Sequence, residues 1–88
     1  MEHKALTEWI NENIIKRNST NYRYDTSHIR LVFEKDTNIH VSNDDVNTVM
    51  LQLGFRASSF ANDPYLTFNI SSQSPALLKY RNEIYGRP

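Results

Sequence analysis

The chain has 88 residues, with ten basic and ten acidic side chains and no cysteine. This length predicts a single domain over residues 1–88, because one hydrophobic core usually serves roughly 50 to 200 residues. Without cysteine, neither a disulfide nor a thiolate metal site can support the fold. The balanced charge gives no overall attraction to polyanions, so it weighs against a non-specific nucleic-acid binder and leaves a locally basic face as the alternative.

The sequence contains no membrane or export signal. No run approaches the roughly 18 consecutive apolar residues of a transmembrane helix. The N-terminus reads Met1-Glu2-His3-Lys4 and continues into an amphipathic pattern, which differs from the apolar core of a signal peptide. We therefore expect a cytoplasmic protein without membrane attachment.

Residues 4–16 have the spacing of an amphipathic helix. Leu6, Trp9 and Ile10 fall on one side of it, and Trp9 is its largest core candidate. The alternation of tyrosine, arginine and tyrosine over residues 22–24 then predicts a short strand beside a later hairpin.

A second helix is predicted after Asp25-Thr26-Ser27, which supplies several candidate N-caps. Its buried stripe is Ile29, Val32 and Phe33, at helical spacing. The turn-forming run 36–38 ends it.

A third helix follows residues 39–41, whose two apolar side chains are predicted to turn inward. Ser42 is the N-cap, and Asp45 is the acidic half of a capping box. Gly54 ends the helix in the left-handed conformation. The buried stripe of this helix comprises Val46, Val49, Met50 and Leu53.

A β-hairpin comes next, with strands over residues 55–56 and 65–70 and a turn-rich tip over 58–64. Ser74-Pro75 then begins a last helix, which Gly86 ends. The apolar face of the returning strand consists of Leu66, Phe68 and Ile70.

A helix pair followed by a hairpin is the element order of a winged helix-turn-helix. We therefore predict an α+β fold: a small winged helix-turn-helix-like domain with a leading and a trailing helix and a β-hairpin wing in the C-terminal half.

Four runs of the sequence form a pattern: Ile29 to Glu34, Ile39-His40-Val41-Ser42-Asn43, Met50-Leu51-Gln52-Leu53-Gly54-Phe55 and Phe68-Asn69-Ile70-Ser71. This pattern resembles small, mostly uncharacterised proteins from phages and mobile elements of Gram-positive bacteria. The helix, glycine, aromatic and hairpin order also resembles winged-helix modules attached to mobile-element primases and helicases. The resemblance covers roughly residues 26–71, about half of the chain. It implies a role in DNA replication or regulation and carries over no catalytic residue.

Nucleic-acid binding would use the third helix, since the second helix of such a motif usually enters the major groove. Asp44 and Asp45 oppose this mode, because carboxylates there would repel phosphates. Contact through the wing or the preceding helix is the alternative. The polar candidates on the third helix are Asn43, Asn47, Thr48 and Gln52. The basic candidates before and after this helix are Arg23, Arg30, Lys35 and Arg56. The wing contributes Ser58 and Ser59.

Catalysis and metal binding find no support. His3, His28 and His40 are widely separated, and the serines stand at predicted caps and turns. No nucleophile–base pair or phosphate-binding glycine loop can be assembled. We expect no enzyme, no metal and no cofactor.

Two functions follow. The first is a small non-enzymatic nucleic-acid-binding accessory protein of a phage or mobile element, in transcription control or replication, with DNA expected ahead of RNA. The alternative is a winged-helix-shaped protein–protein interaction module, either a subunit of a replication complex or an inhibitor of a host factor, that binds no DNA. Its candidate contacts are Leu51, Phe60 and Tyr80. A dimer through residues 75–85 is a further hypothesis.

Overall fold

The computed structural model describes residues 3–58 and 65–81. Over these residues the chain forms four helices and a two-stranded antiparallel sheet, so the predicted α+β class is confirmed. Residues 59–64 of the predicted wing tip and Gly86, the predicted end of the last helix, lie outside the described residues. The elements are α1 (Lys4–Asn13), α2 (Thr26–Thr37), α3 (Asn43–Gln52), β1 (Ala57–Ser58), β2 (Thr67–Phe68) and α4 (Pro75–Lys79).

The core lies where α1 and α2 pack against α3. The three predicted helical stripes are buried, except that Leu53 is only partly so. Burying one such side chain stabilises the fold by about 1.5–3 kcal/mol, so these stripes determine how the helices pack. The buried helical side chains are Leu6, Trp9 and Ile10, then Ile29, Val32 and Phe33, then Val46, Val49 and Met50.

Both central helices begin at a capping box. Asp25 accepts hydrogen bonds from the backbone N–H groups of Ser27 and His28, and the His28 ring accepts from the Asp25 backbone. At α3, Ser42 Oγ accepts from the Asp45 N–H and Asp45 Oδ2 accepts from the Ser42 N–H, each at 3.0 Å. The predicted capping box of α3 is therefore confirmed.

The segment around β2 is paired on both sides. Ala57 of β1 pairs with Phe68, and on the other side Asp25 and Lys16 form antiparallel bridges with Thr67 and Ile70. The segment that precedes α2 therefore joins the edge of the sheet opposite β1.

The predicted strand over residues 22–24 is wrong, because Tyr22 and Arg23 form a turn and the bridge is made at Asp25. The cause is the buried Asn21 side chain. Its amide donates to the Ile70 carbonyl at 3.0 Å and its Oδ1 accepts the Arg23 N–H at 3.1 Å. An asparagine that bonds the backbone two residues ahead favours a turn over an extended strand.

Two local predictions need correction, and a third is confirmed only in part. α1 ends at Asn13, not at Lys16, and the chain is extended at Ile14. Ile39 is exposed, because Asn38 in the left-handed conformation turns the chain, and only Val41 packs against the core. Ser74 is the N-cap residue of α4 and Pro75 is its first residue, as predicted, but the Ser74 side chain makes no capping hydrogen bond. Its hydroxyl instead accepts the Ile15 N–H at 2.8 Å and so holds the start of α4 beside the end of α1.

Candidate nucleic-acid interface

Only two of the four polar residues predicted on the exposed face of α3 are open to solvent. Thr48 and Gln52 are exposed, while Asn43 and Asn47 are half-buried. Asn47 Oδ1 accepts a 2.6 Å hydrogen bond from the buried Thr26 hydroxyl, and Asn43 Oδ1 accepts a 2.8 Å hydrogen bond from Arg30 Nε. These two amide oxygens therefore join α3 to α2.

Arg30 lies beside the N-terminal end of α3 and is paired. Its Nη1 donates to Glu34 Oε1 at 3.1 Å. Glu34 Oε2 also accepts the Val41 N–H at 3.1 Å and lies 3.5 Å from His40 Nδ1. The arginine charge is thus compensated within α2.

The other predicted basic contacts, Arg23, Lys35 and Arg56, come from different parts of the chain. Arg23 and Lys35 are exposed before and near the end of α2, which spans twelve residues and so about 18 Å. Arg23 and Lys35 therefore lie towards opposite ends of α2. Arg56 lies past the C-terminal end of α3, next to Asn69.

Arg56 lies close to Arg17, a cation that was not among the predicted contacts. Asn69, which is only 4% exposed, hydrogen-bonds two chain segments. Its Oδ1 accepts the Arg56 N–H at 2.6 Å, and its Nδ2 donates to the Arg17 carbonyl at 3.0 Å. The Asn69 backbone repeats this pairing, accepting from the Arg17 N–H and donating to the Arg56 carbonyl. Arg17 and Arg56 are therefore fixed on either side of one buried asparagine.

The two guanidinium groups converge on one loop. Arg17 Nε donates to the Ser19 carbonyl at 3.0 Å and its Nη2 to the Thr20 carbonyl at 3.1 Å. Arg56 Nη2 donates to the Asn18 carbonyl, so both side chains contact successive carbonyls of residues 18–20.

Lys16 adds a third positive charge beside them. Its Nζ lies 5.2 Å from the centroid of the Phe55 ring, in a cation–π contact. Lys16, Arg17 and Arg56 are exposed, and no carboxylate of the described residues pairs with them. We call these three residues the basic cluster. The only sequence signal for it was the Lys16-Arg17 dipeptide just after α1.

The wing serines and the predicted partner-binding residues lie in different surroundings. Ser58 is half-buried, and its carbonyl accepts from the Thr67 hydroxyl. Leu51 is 50% exposed on α3, whereas the Tyr80 hydroxyl donates to Asp36 at 2.8 Å. Ser59 and Phe60 lie outside the described residues.

Asp36 connects three helices, a role that sequence reasoning missed. Its Oδ2 accepts the Trp9 indole N–H at 2.8 Å, and its Oδ1 accepts from Lys79 Nζ and Tyr80 Oη, also at 2.8 Å. The hydrogen bonds from Lys79, Trp9 and Tyr80, in that order, lower the pKa of Asp36 to about 2. This carboxylate therefore stabilises the packing of α4 and takes no part in the basic cluster.

Each of the three histidines lies near a different carboxylate: His3 near Asp45, His28 near Asp25 and His40 near Glu34. The Ser42 backbone N–H, then the His3 ring, lower the pKa of Asp45 despite partial burial. Burial raises the pKa of Asp25, but hydrogen bonds from Ser27 and His28 outweigh it and the net change is downward. Within residues 3–58 and 65–81, no group of three or more metal-ligating side chains comes together.

None of the described helices has the length and apolar character needed to cross a membrane. Comparisons with protein-family models, curated protein sequences and solved structures found no match for this chain.

Proposed function

We propose that this chain is a small non-enzymatic nucleic-acid-binding accessory protein of a phage or mobile element, acting in transcription control or replication. The observation that supports the proposal most is the order and pairing of the elements. The α2–α3 pair leads into the β1–β2 hairpin, and the Asp25 bridge adds the segment before α2 to the same sheet. A winged helix-turn-helix has this arrangement and binds DNA with its second helix in the major groove.

In this proposal α3 contributes little to phosphate binding. Its open polar side chains, Thr48 and Gln52, can hydrogen-bond to base edges but carry no charge. Asp44 is exposed in its first turn and would repel a phosphate. Contacts with the sugar–phosphate backbone supply most of the affinity in non-specific DNA binding. These contacts must then come from residues outside α3, such as Arg56, which precedes the hairpin.

Fluorescence polarisation with a labelled random-sequence DNA duplex and the matching single strand tests the proposal. At about 50 mM salt, where phosphate binding is strong, we expect binding to at least one probe that weakens steeply as salt is added. The double variant Thr48→Ala/Gln52→Ala should keep this affinity, because base-edge contacts add little on random sequence. Absence of binding to both probes would contradict the proposal.

The second candidate is a winged-helix-shaped protein-interaction module, a replication-complex subunit or an inhibitor of a host factor. Two half-exposed leucines favour it: Leu51 on α3 is 50% exposed and Leu31 on α2 is 52% exposed. A contiguous exposed apolar patch is typical of a protein contact site, so this function requires the two leucines to belong to one such patch. This function predicts no nucleic-acid binding even at about 50 mM salt, so the same assay separates the two.

Self-association would be a special case of the second function. If residues 75–85 form a dimer contact, light scattering at high protein concentration should give twice the monomer mass of 10.3 kDa. A monomeric mass would exclude the dimer and leave a different protein as the partner.

A further inference from the structure

The basic cluster places two like charges against one short loop. Arg17 and Arg56 both donate to backbone carbonyls of residues 18–20, and Asn69 fixes the backbone of both. The guanidinium groups are therefore positioned before any ligand arrives. Positioning in advance lowers the conformational entropy that binding would otherwise cost.

Both guanidinium groups keep donors for a further partner. A guanidinium has five N–H donors, and the described hydrogen bonds occupy Nε and Nη2 of Arg17 and Nη2 of Arg56. The Nη1 groups of both arginines are left without an assigned acceptor among the described residues. Arginine donors of this kind bind phosphate oxygens with charge-assisted hydrogen bonds.

The charge of the cluster is uncompensated over the described residues. Arg30 is paired with Glu34 and Lys79 with Asp36, but Lys16, Arg17 and Arg56 have no carboxylate partner there. In a chain whose formal charges balance, these three cations form a local positive area on a neutral protein. Its complement is an anion.

A polyanion fits this area better than a single small anion. All three side chains are exposed, so one isolated ion pair would be screened by salt and would contribute little. Several such contacts to one chain of phosphates add up, because each releases bound counterions from the nucleic acid.

We propose that Lys16, Arg17 and Arg56 form the site that contacts the sugar–phosphate backbone of nucleic acid, with Asn69 as the positioning residue. The inference rests on the proposed function and makes it specific. The proposed phosphate contacts lie where residues 16–20 meet Arg56 at the start of the hairpin. They do not lie on the exposed face of α3.

The test measures how the affinity of the full chain for the duplex and single-strand probes depends on salt. Arg17→Gln/Arg56→Gln should weaken duplex binding at least about tenfold at low salt and reduce the slope of log affinity against log salt by about 2. Arg17→Lys/Arg56→Lys keeps both charges and should retain most of the slope. Arg81→Gln, which removes one exposed charge two residues past α4, should leave affinity and slope unchanged.

Lys16→Gln keeps the test valid if the arginine double variant does not fold. The Lys16 side chain makes no hydrogen bond with the described residues, so its removal should spare the fold and lower the duplex slope by about 1. If the wild type binds DNA but folded variants of the cluster keep its affinity and slope, the inference is overturned and the proposed function survives. If the wild type binds neither probe, both are overturned.

Discussion

The indole of Trp9 donates a 2.8 Å hydrogen bond to Asp36 and packs edge-on against Phe33, with ring centroids 5.3 Å apart. This joins α1 to the last turn of α2 by one polar and one aromatic contact. Because Lys79 and Tyr80 donate to the same carboxylate, α4 is attached at the same point. The short last helix therefore depends on a charged group at the rim of the core.

Asp36→Asn should lower the free energy of unfolding by about 1–2 kcal/mol, because hydrogen bonds to a charged acceptor are stronger than those to a neutral amide. The single tryptophan lies in this contact, so its fluorescence reports urea unfolding directly. The matched control is Glu8→Gln, which removes one exposed carboxylate from α1. Equal midpoints for Asp36→Asn and the wild type would contradict the role given to Asp36.

The same carboxylate predicts an acid-dependent loss of stability. The folded pKa of Asp36 is about 2, below its ordinary value of 3.8, so the folded state favours the charged form. The resulting stabilisation is fully present above about pH 4 and is lost as the pH falls towards about 2. It amounts to at most about 2 kcal/mol and is reduced by solvent screening, since the Asp36 side chain is 20% exposed.

Urea unfolding of the wild type and Asp36→Asn at a series of pH values measures this pH-dependent stabilisation by Asp36. The gap between their free energies of unfolding should narrow as the pH falls through the range from about 4 to about 2. A gap that stays constant over that range would show that the Asp36 charge does not contribute.

The predictable parts of this fold were those specified by short-range patterns. The stripes of α2 and α3 follow helical periodicity, and the box formed by Ser42 and Asp45 needs only residues four positions or fewer apart. The Asn69 contacts could not be predicted in this way. They lie between residues 52 and 13 positions apart, and an asparagine just after a strand gives no sign of which backbone it will bind.

In the candidate site, too, short-range patterns were predictable and contacts between distant residues were not. Thr48 and Gln52 were expected on an exposed helical face, and they are exposed. Asn47 is also polar and has the same helical spacing, yet its side-chain oxygen accepts a hydrogen bond from the buried Thr26 hydroxyl. Helical periodicity gives the side of a helix but not the neighbour that packs against it, so it could not separate a base-contacting amide from one that joins two helices.

Asn47→Ala should therefore act on stability. Removing the amide takes away the shorter of two acceptors of the fully buried Thr26 hydroxyl and leaves the Leu66 carbonyl at 3.3 Å. The loss of this hydrogen bond should cost about 0.5–1.5 kcal/mol in the free energy of unfolding. Thr48→Ala, one residue along and exposed, should stay within about 0.5 kcal/mol of the wild type. Chemical denaturation of both variants measures the difference. A stable Asn47→Ala protein with weakened DNA binding would instead assign Asn47 to the nucleic acid.

Gly54→Ala should destabilise the end of α3. Gly54 has φ +88°, and an added Cβ would lie 3.2 Å from Lys16 Nζ, the movable tip of a long side chain. The backbone conformation, more than this contact, should cost about 1–2 kcal/mol. Asn38→Gly is the matched control, since Asn38 has φ 63° and glycine adopts that conformation freely. Thermal unfolding should rank Gly54→Ala well below Asn38→Gly, and equal stability would contradict the argument.

The salt dependence of DNA binding by the unmodified protein tests the central proposal most directly. Three phosphate contacts, from Lys16, Arg17 and Arg56, predict a slope of log affinity against log salt of about −3 on duplex DNA. Fluorescence polarisation from about 50 to about 200 mM salt measures this slope. A value near −3 would support nucleic-acid binding through the basic cluster. A flat dependence, or no binding at the lowest salt, would contradict it.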